Sequence, residues 1–291
     1  VPYTVAKMLA ESDKRDLGCH TGTISDAFLE LYQAGKLTNA RKELDTGLSA
    51  WNLAMGSQEL YDWLDAEPQL FHPGDLDYIH SVERISKFSN VISINGGVQL
   101  DLMGQENAES TGTRQLSGVG GQMDFLEGAY RSKGGKGFIC INSSRLTKDG
   151  ERKSNILATI PGGSTISAPR TMIQYVATEY GIASLSGKTL RERAEAMASI
   201  AHPDFREELI RAAEQQQIWD DTLRTEGEAF TRQYVALPGC SEHQTGLALD
   251  INTASRSAHF ETTATYRWLI ENCWRYGFIL RYPEGREDIT G

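Results

Sequence analysis

Apolar residues recur at helical spacing over 3–12 and again over 24–34, where Gly35 supplies a stop. A shorter helical pattern occupies 57–65, and Pro68 and Pro73 then break it. Beyond residue 91 the texture changes. Short apolar runs alternate with glycine-rich turns, and 91–94, 98–102, 138–141 and Tyr175–Thr178 read as strands. Helical spacing returns over Leu190–Ser199 and over 205–213, with Asp204 near the second N-terminus. A polar helix carrying aromatics is expected over 215–233, a turn at Pro238-Gly239, a strand over 247–251, a helix over 262–273 and a strand over 278–280. There is no internal repeat and no low-complexity tract.

Composition narrows the picture only in places. At 291 residues the chain can bury two modest cores, so two domains are expected. No run of about 18 apolar residues exists, which argues against a membrane span. The start, Val1-Pro2-Tyr3-Thr4-Val5, has neither the basic nor the apolar region of a signal peptide, and its lack of Met suggests a fragment or a processed chain. A net charge of −10 disfavours general nucleic-acid binding, which needs clustered Lys and Arg. Cys19, Cys140, Cys240 and Cys273 sit far apart with no C-x-x-C pair, so free thiols are expected rather than a zinc knuckle or a disulfide framework. One break stands out. All ten lysines lie between Lys7 and Lys188, and the remaining 103 residues hold none, as expected where segments of different origin meet.

The densest glycine run is Ser117-Gly118-Val119-Gly120-Gly121-Gln122-Met123-Asp124-Phe125, followed by Ser132-Lys133-Gly134-Gly135-Lys136-Gly137. Such a loop lets backbone N–H groups approach a phosphate or the oxyanion of a thioester intermediate, or simply makes tight turns between strands. Its neighbours are Ser93-Ile94-Asn95 and Asp101-Leu102-Met103-Gly104-Gln105-Glu106-Asn107-Ala108-Glu109-Ser110. Upstream stand His20-Thr21-Gly22, Gly35-Lys36-Leu37-Thr38-Asn39 and Gly56-Ser57. Downstream stand Tyr175 to Ala183, Leu185-Ser186-Gly187-Lys188, Arg191-Glu192-Arg193-Ala194 and Ala201 to Arg206. In this order the motifs resemble the acetyl-CoA hydrolase/transferase family, of the acetate and 4-hydroxybutyrate CoA-transferase type, over residues 1–213.

That resemblance implies an open α/β CoA-transferase domain that exchanges CoA between acyl-CoA and small carboxylates through a glutamyl-CoA thioester. Coenzyme A would be a substrate, the compartment cytoplasmic, and a homo-oligomer is expected. Backbone amides of the loop at Gly118, Gly120, Gly121 and Gln122 would hold CoA or the oxyanion. The family's catalytic Glu is expected two residues before Asp101, where this chain has Gln99; a neutral amide cannot readily serve as that nucleophile. Glu106 and Glu109 lie nearby and read as solvated side chains. His202 reads as a packing or capping residue, and Glu179 as a CoA contact or a turn anchor.

A second pattern, Ser241-Glu242-His243-Gln244-Thr245-Gly246-Leu247-Ala248-Leu249-Asp250, could aim an imidazole and a carboxylate at one metal. With Tyr234 to Gly239, Trp268-Leu269, Asn272, Tyr276 to Pro283 and Asp288 to Gly291, it resembles D-alanyl-D-alanine carboxypeptidases of the vancomycin-resistance type over residues 211–291. The resemblance implies zinc held by His243 and Asp250, with Arg211 and Ser241 binding substrate. The site is expected to be incomplete, because the family's E-x-x-H segment, with its general base and third ligand, would follow Gly291; His259 does not match a ligand position. The chain thus reads as a CoA-transferase C-terminal region at 1–213 joined to a small incomplete α+β zinc-peptidase-like region at 214–291. Three readings stay open: an acyl-CoA transferase or hydrolase fragment, a zinc carboxypeptidase fragment, and an inactive chimera of the two.

Overall fold

The computed structural model describes residues 2–236, 251 and 259–279. The chain divides into two compact units, Val1–Ile210 and Arg211–Gly291.

The first unit begins with α1 (Pro2–Glu11), followed by β1 (His20–Ile24), α2 (Asp26–Gln33), β2 (Ser49–Ala54), α3 (Gln58–Ala66) and β3 (Phe71–Pro73). Strands β1, β2 and β3 form a parallel sheet in that order. Parallel strands need crossovers, and the amphipathic helices α2 and α3 supply them. Leu29, Leu31, Leu60 and Trp63 are buried from these helices against Cys19 and Ile24, and Trp63 meets Tyr32 and Phe71 at 4.8 Å each. Two short helices, α4 (Leu76–Ile79) and α5 (Val82–Ile85), then lead to the second sheet.

That sheet has the order β14-β13-β9-β4, from β4 (Ile92–Gly96), β9 (Lys136–Cys140), β13 (Tyr175–Thr178) and β14 (Gly181–Ser184). The first three of these in sequence run parallel, and β14 returns antiparallel as a hairpin from β13. Between β4 and β9 the chain makes β5 (Gln99–Asp101), β6 (Glu106–Asn107), β7 (Ser110–Thr111), β8 (Arg114–Gln115) and the helix α6 (Gln122–Arg131). After β9 come β10 (Ser144–Leu146), β11 (Arg152–Ser154) and β12 (Ile156–Leu157), the last pairing parallel with β5. Leu126 of α6 is fully buried, as are Ile139 and Val176 on the sheet. The unit is mixed α/β, and no closed barrel occurs among the described residues.

Helix α7 (Leu190–Ser199) starts in a capping box between Thr189 and Glu192. Its Arg193 is buried and donates to the carbonyls of Met103, Leu185 and Arg170 at 2.7–2.8 Å. Helix α8 (Pro203–Glu226) is one element where the sequence pattern suggests two, and the division between the units falls within it. Gly227, at φ +84°, ends it before α9 (Glu228–Tyr234). In the second unit α10 (Ala264–Asn272) occupies most of the expected helix, while Phe278 and Ile279 are not in a strand. The strand expected over 247–251 lies outside the described residues, apart from Ile251, which is not in one.

Candidate acyl-CoA site around the first turn of helix α6

The glycine run does not stay a loop. It turns into α6 at Gln122, with Gly121 as N-cap, and Gly120 takes φ +59°, where a side chain would be strained. Leu116 and Ser117 donate their amides to the Glu109 carbonyl, at 2.6 and 3.3 Å, and so fix the loop's entry. A Cβ on Gly118 or Gly120 would meet no heavy atom within 4 Å, so the outer face of the turn is open. The first-turn amides of a helix have no carbonyl behind them, and a helix start of this kind suits negative charge.

Glu106 departs most from the sequence reading. Its polar neighbourhood in the chain suggests a solvated side chain, but it is 0 % exposed, and Glu109 is also buried. The strand β6 carries Glu106 into the interior against Gly97, whose Cβ would stand 2.6 Å from Oε1. Gln122 donates from Nε2 to Oε2 of Glu106, tying β6 to the first residue of α6. Oε1 has no hydrogen-bond partner. Burial outweighs the help from Gln122 and pushes the carboxyl up to about 7.

Gln99 is buried on β5, paired in register with Asn107, while Leu100 pairs with Glu106. Successive residues of a strand point to opposite faces, so Gln99 and Glu106 lie on opposite faces of this hairpin. The glycine turn therefore meets the hairpin through Glu106. Asp101, also buried, accepts the Gln105 amide at 2.9 Å and its Nε2 at 2.8 Å, which closes the tight turn.

A histidine pair borders the same turn. His80, at the end of α4, approaches Asp124 with Nδ1 3.2 Å from Oδ2. Its ring meets Phe125 edge-on at 5.3 Å. His20 holds the Ile79 carbonyl through Nε2 at 2.8 Å, and burial drives its pKa down to about 4, so it stays neutral. Nothing in the sequence pattern singles out His80, and Asp124 enters it only as part of the glycine-run motif; the fold brings the two together across 44 residues.

The other expected residues have plainer places. Glu179 accepts the Ser143 amide and hydroxyl at 2.9 and 2.6 Å, anchoring that turn. His202 accepts the Asp204 amide through Nδ1 at 3.3 Å, next to the start of α8. Arg211 lies on α8. Ser241, His243 and Asp250 lie outside the described residues, and among those described no group of three or more His, Cys, Asp or Glu could hold a metal ion. Cys19, Cys140 and Cys273 are free thiols.

A mostly parallel open sheet flanked by a glycine-rich helix start defines a mixed α/β protein. Residues 56–213 match the acetyl-CoA hydrolase/transferase C-terminal domain, and the chain belongs to that family. Residues 192–291 match a second family, the D-alanyl-D-alanine carboxypeptidases, so the two matches overlap over 192–213. The butyryl-CoA:acetate CoA-transferase of Anaerostipes caccae is 45% identical over 219 residues, covering 75% of this chain and 49% of that protein. The bifunctional D-Ala-D-Ala dipeptidase and D-Ala-D-Ala carboxypeptidase of Enterococcus gallinarum is 44% identical over 84 residues, covering 27% of this chain and 44% of that protein. Among solved structures, RipA from Yersinia pestis superposes with a TM-score of 0.68 at 38% identity, covering 75% of this chain and 48% of RipA. The chain spans about half the length of the curated CoA-transferases it matches.

Proposed function

We propose that the first unit is the C-terminal half of an acyl-CoA:carboxylate CoA-transferase or acyl-CoA hydrolase, and that its glycine turn binds the acyl thioester. The observation that carries this reading is the open first turn of α6, tied to the buried carboxylate of Glu106 through Gln122. Amides at Gly120, Gly121 and Gln122 present donors to a thioester carbonyl, and an oxyanion formed there is stabilised most by donors already in place. Gly118 keeps the outer edge clear for the bulk of CoA. Gln99, buried on the opposite face of the hairpin, supports that scaffold in this reading rather than reacting. The relatives named for CoA transfer support the substrate class, acyl-CoA and small carboxylates. A cytoplasmic setting, where such thioesters are made and used, belongs to the same proposal. So does self-association, for which the exposed Leu53, Met55, Leu116 and Val119 supply apolar surface and which sedimentation would measure.

The test is binding of butyryl-CoA in competition with free CoA. Gly120→Val is expected to abolish it, because a β-branched residue resists φ +59° and covers the amides. Undiminished binding by that variant would contradict the proposal.

A second reading rests on the match over residues 192–291: part of a zinc carboxypeptidase, with His243 and Asp250 among the metal ligands and Arg211 and Ser241 as substrate contacts. Two ligands hold zinc weakly, since the ion keeps its remaining positions in water. Zinc titration of the chain beside His243→Ala checks it. Weak binding that His243→Ala removes supports His243 as a ligand, and equal binding by both proteins would contradict it.

A further inference from the structure

We propose that the hairpin of β10 and β11 binds a phosphate group of CoA through Arg145 and Lys153. The proposal rests on the acyl-CoA reading of the glycine turn and adds a contact at the other end of the same ligand. Its carrier is a local conflict of charge. Arg145 of β10 and Lys153 of β11 are direct partners in the register, so both stand on one face of the hairpin, and both are exposed. Like charges set opposite each other weaken a strand pair, and an anion held between them removes that penalty. Asp149 and Glu151 lie at the tip of the same hairpin, yet neither takes an arginine. Arg145 donates from Nη1 to the side-chain oxygen of Asn155, and Arg152 to the Ser144 hydroxyl at 3.0 Å. Among the described residues neither pairs with a carboxylate, whereas Arg41, Arg131 and Arg224 pair with Asp16, Glu127 and Asp221.

The guanidinium of Arg145 is also held in place. Asn155 is buried and donates from Nδ2 to the Asn142 carbonyl at 2.9 Å. Its amide donates to the Ser143 carbonyl at 2.8 Å, and its own carbonyl accepts the Leu100 amide of β5 at 3.0 Å. With main chain and side chain both fixed, Asn155 orients one arm of the guanidinium and leaves Nε and Nη2 for a second acceptor. A planar fork suits two oxygens of one phosphate. Lys153 meets the exposed Glu151 at 3.1 Å, a surface pair of little strength that a phosphate can displace.

Topology puts this face at the end of the sheet that carries the glycine turn. Helix α6 leads through a short turn into the amino end of β9, so its first turn lies toward the carboxyl end of that strand, where the hairpin leaves. Side chains bridge the two. Gln122 bonds Glu106, and Glu106 Oε1 lies 2.6 Å from the place of a Cβ on Gly97. Ile141, three residues before β10, brings Cγ2 within 3.0 Å of that same place. CoA carries its thioester and its phosphates at opposite ends of the pantetheine arm. A ligand whose thioester meets the glycine turn therefore needs cations elsewhere along this end, in a chain whose net charge of −10 otherwise repels it.

The experiment is calorimetric titration of the full chain with butyl-CoA, a thioether that cannot react, and with S-butylpantetheine, which has no phosphate. Butyl-CoA is expected to bind the unaltered chain more tightly than S-butylpantetheine. Arg145→Gln and Lys153→Gln should each weaken butyl-CoA about 10-fold or more, the scale of a lost charge-assisted hydrogen bond, and leave S-butylpantetheine unchanged. Arg152→Gln removes the same charge from the opposite face and should bind as the parent does. Melting curves confirm that each variant is folded. The 3′-dephospho form of butyl-CoA tells the two phosphate sources apart: sensitivity to Arg145→Gln is lost if the 3′-phosphate is the one held, and kept if the pyrophosphate is. Equal binding of butyl-CoA by Arg145→Gln and the parent, or an equal loss in Arg152→Gln, overturns the phosphate site and leaves the glycine-turn reading standing. If neither compound binds the unaltered chain, that reading fails, and the phosphate site falls with it.

Discussion

Glu106 is a costly residue where it stands. A carboxyl raised from 4.5 to about 7 binds its proton more tightly folded than unfolded. Stability from this group is therefore fully present below pH 4.5 and is lost as pH rises through about 7. At about 1.4 kcal/mol per unit, the loss is on the order of 3 kcal/mol. Glu106→Gln keeps an acceptor and a similar shape without a charge, so it should remove most of that pH-dependent loss. Urea unfolding of both proteins at pH 5 and pH 8 checks it: the variant should gain relative to the parent only at the higher pH. His20 has the opposite sign. Its pKa is held down at about 4 by burial, so its contribution is present above about 6.5 and lost as pH falls toward 4. The sequence could not show either effect. Gln105-Glu106-Asn107 reads as a polar run and hence a surface turn, and only the pairing of β5 with β6 turns it inward. The pairing of His80 with Asp124 is hidden too, since a contact across 44 positions leaves no local period. The glycines and Gln122, in contrast, are legible, because backbone freedom is written in the residue type itself.

Helix α6 shows where local preference and packing disagree. Glycines at its start and at Gly128 make the segment a poor helix by propensity, and the sequence pattern suggests only a loop there. Tertiary contact wins. A Cβ at Gly128 would stand 2.4 Å from Cγ2 of Ile85, so the bare backbone is what lets α5 lie against α6. Gly128→Ala should therefore destabilise the protein by about 1–3 kcal/mol through overpacking, although alanine is the better helix former. A gain in melting temperature would refute this. Helix α7 makes the complementary case. Thr189 and Glu192 cap it as the residue order suggests, while Arg193 serves three carbonyls of other segments. Removing that guanidinium in Arg193→Ala takes the donor from three carbonyls, that of Leu185 buried and those of Met103 and Arg170 partly so, and should cost about 1–3 kcal/mol, read by denaturant midpoint. Strands β1 and β2 escape the sequence reading because His20-Thr21-Gly22 lacks a hydrophobic alternation; their pairing is a matter of the sheet, not of the strand.

At the scale of the molecule, the lysine break after Lys188 and the division between Ile210 and Arg211 fall close together, and both family matches change over the same stretch. That agreement supports two units of separate origin, in line with the order of motifs along the chain. A fragment holding residues 1–210 should then unfold with the same midpoint as the corresponding transition of the full chain, and a large loss would show that the second unit completes the core of the first. The central claim is narrower: the first turn of α6 binds an acyl-CoA. Calorimetric titration with butyl-CoA tests it most directly, with the full chain and with Gly121→Val, whose side chain would occupy the place of the His80 ring. The account predicts saturable binding at one site in the unaltered chain and its loss in the variant. Absence of binding in the unaltered chain, or equal binding in both, would contradict it.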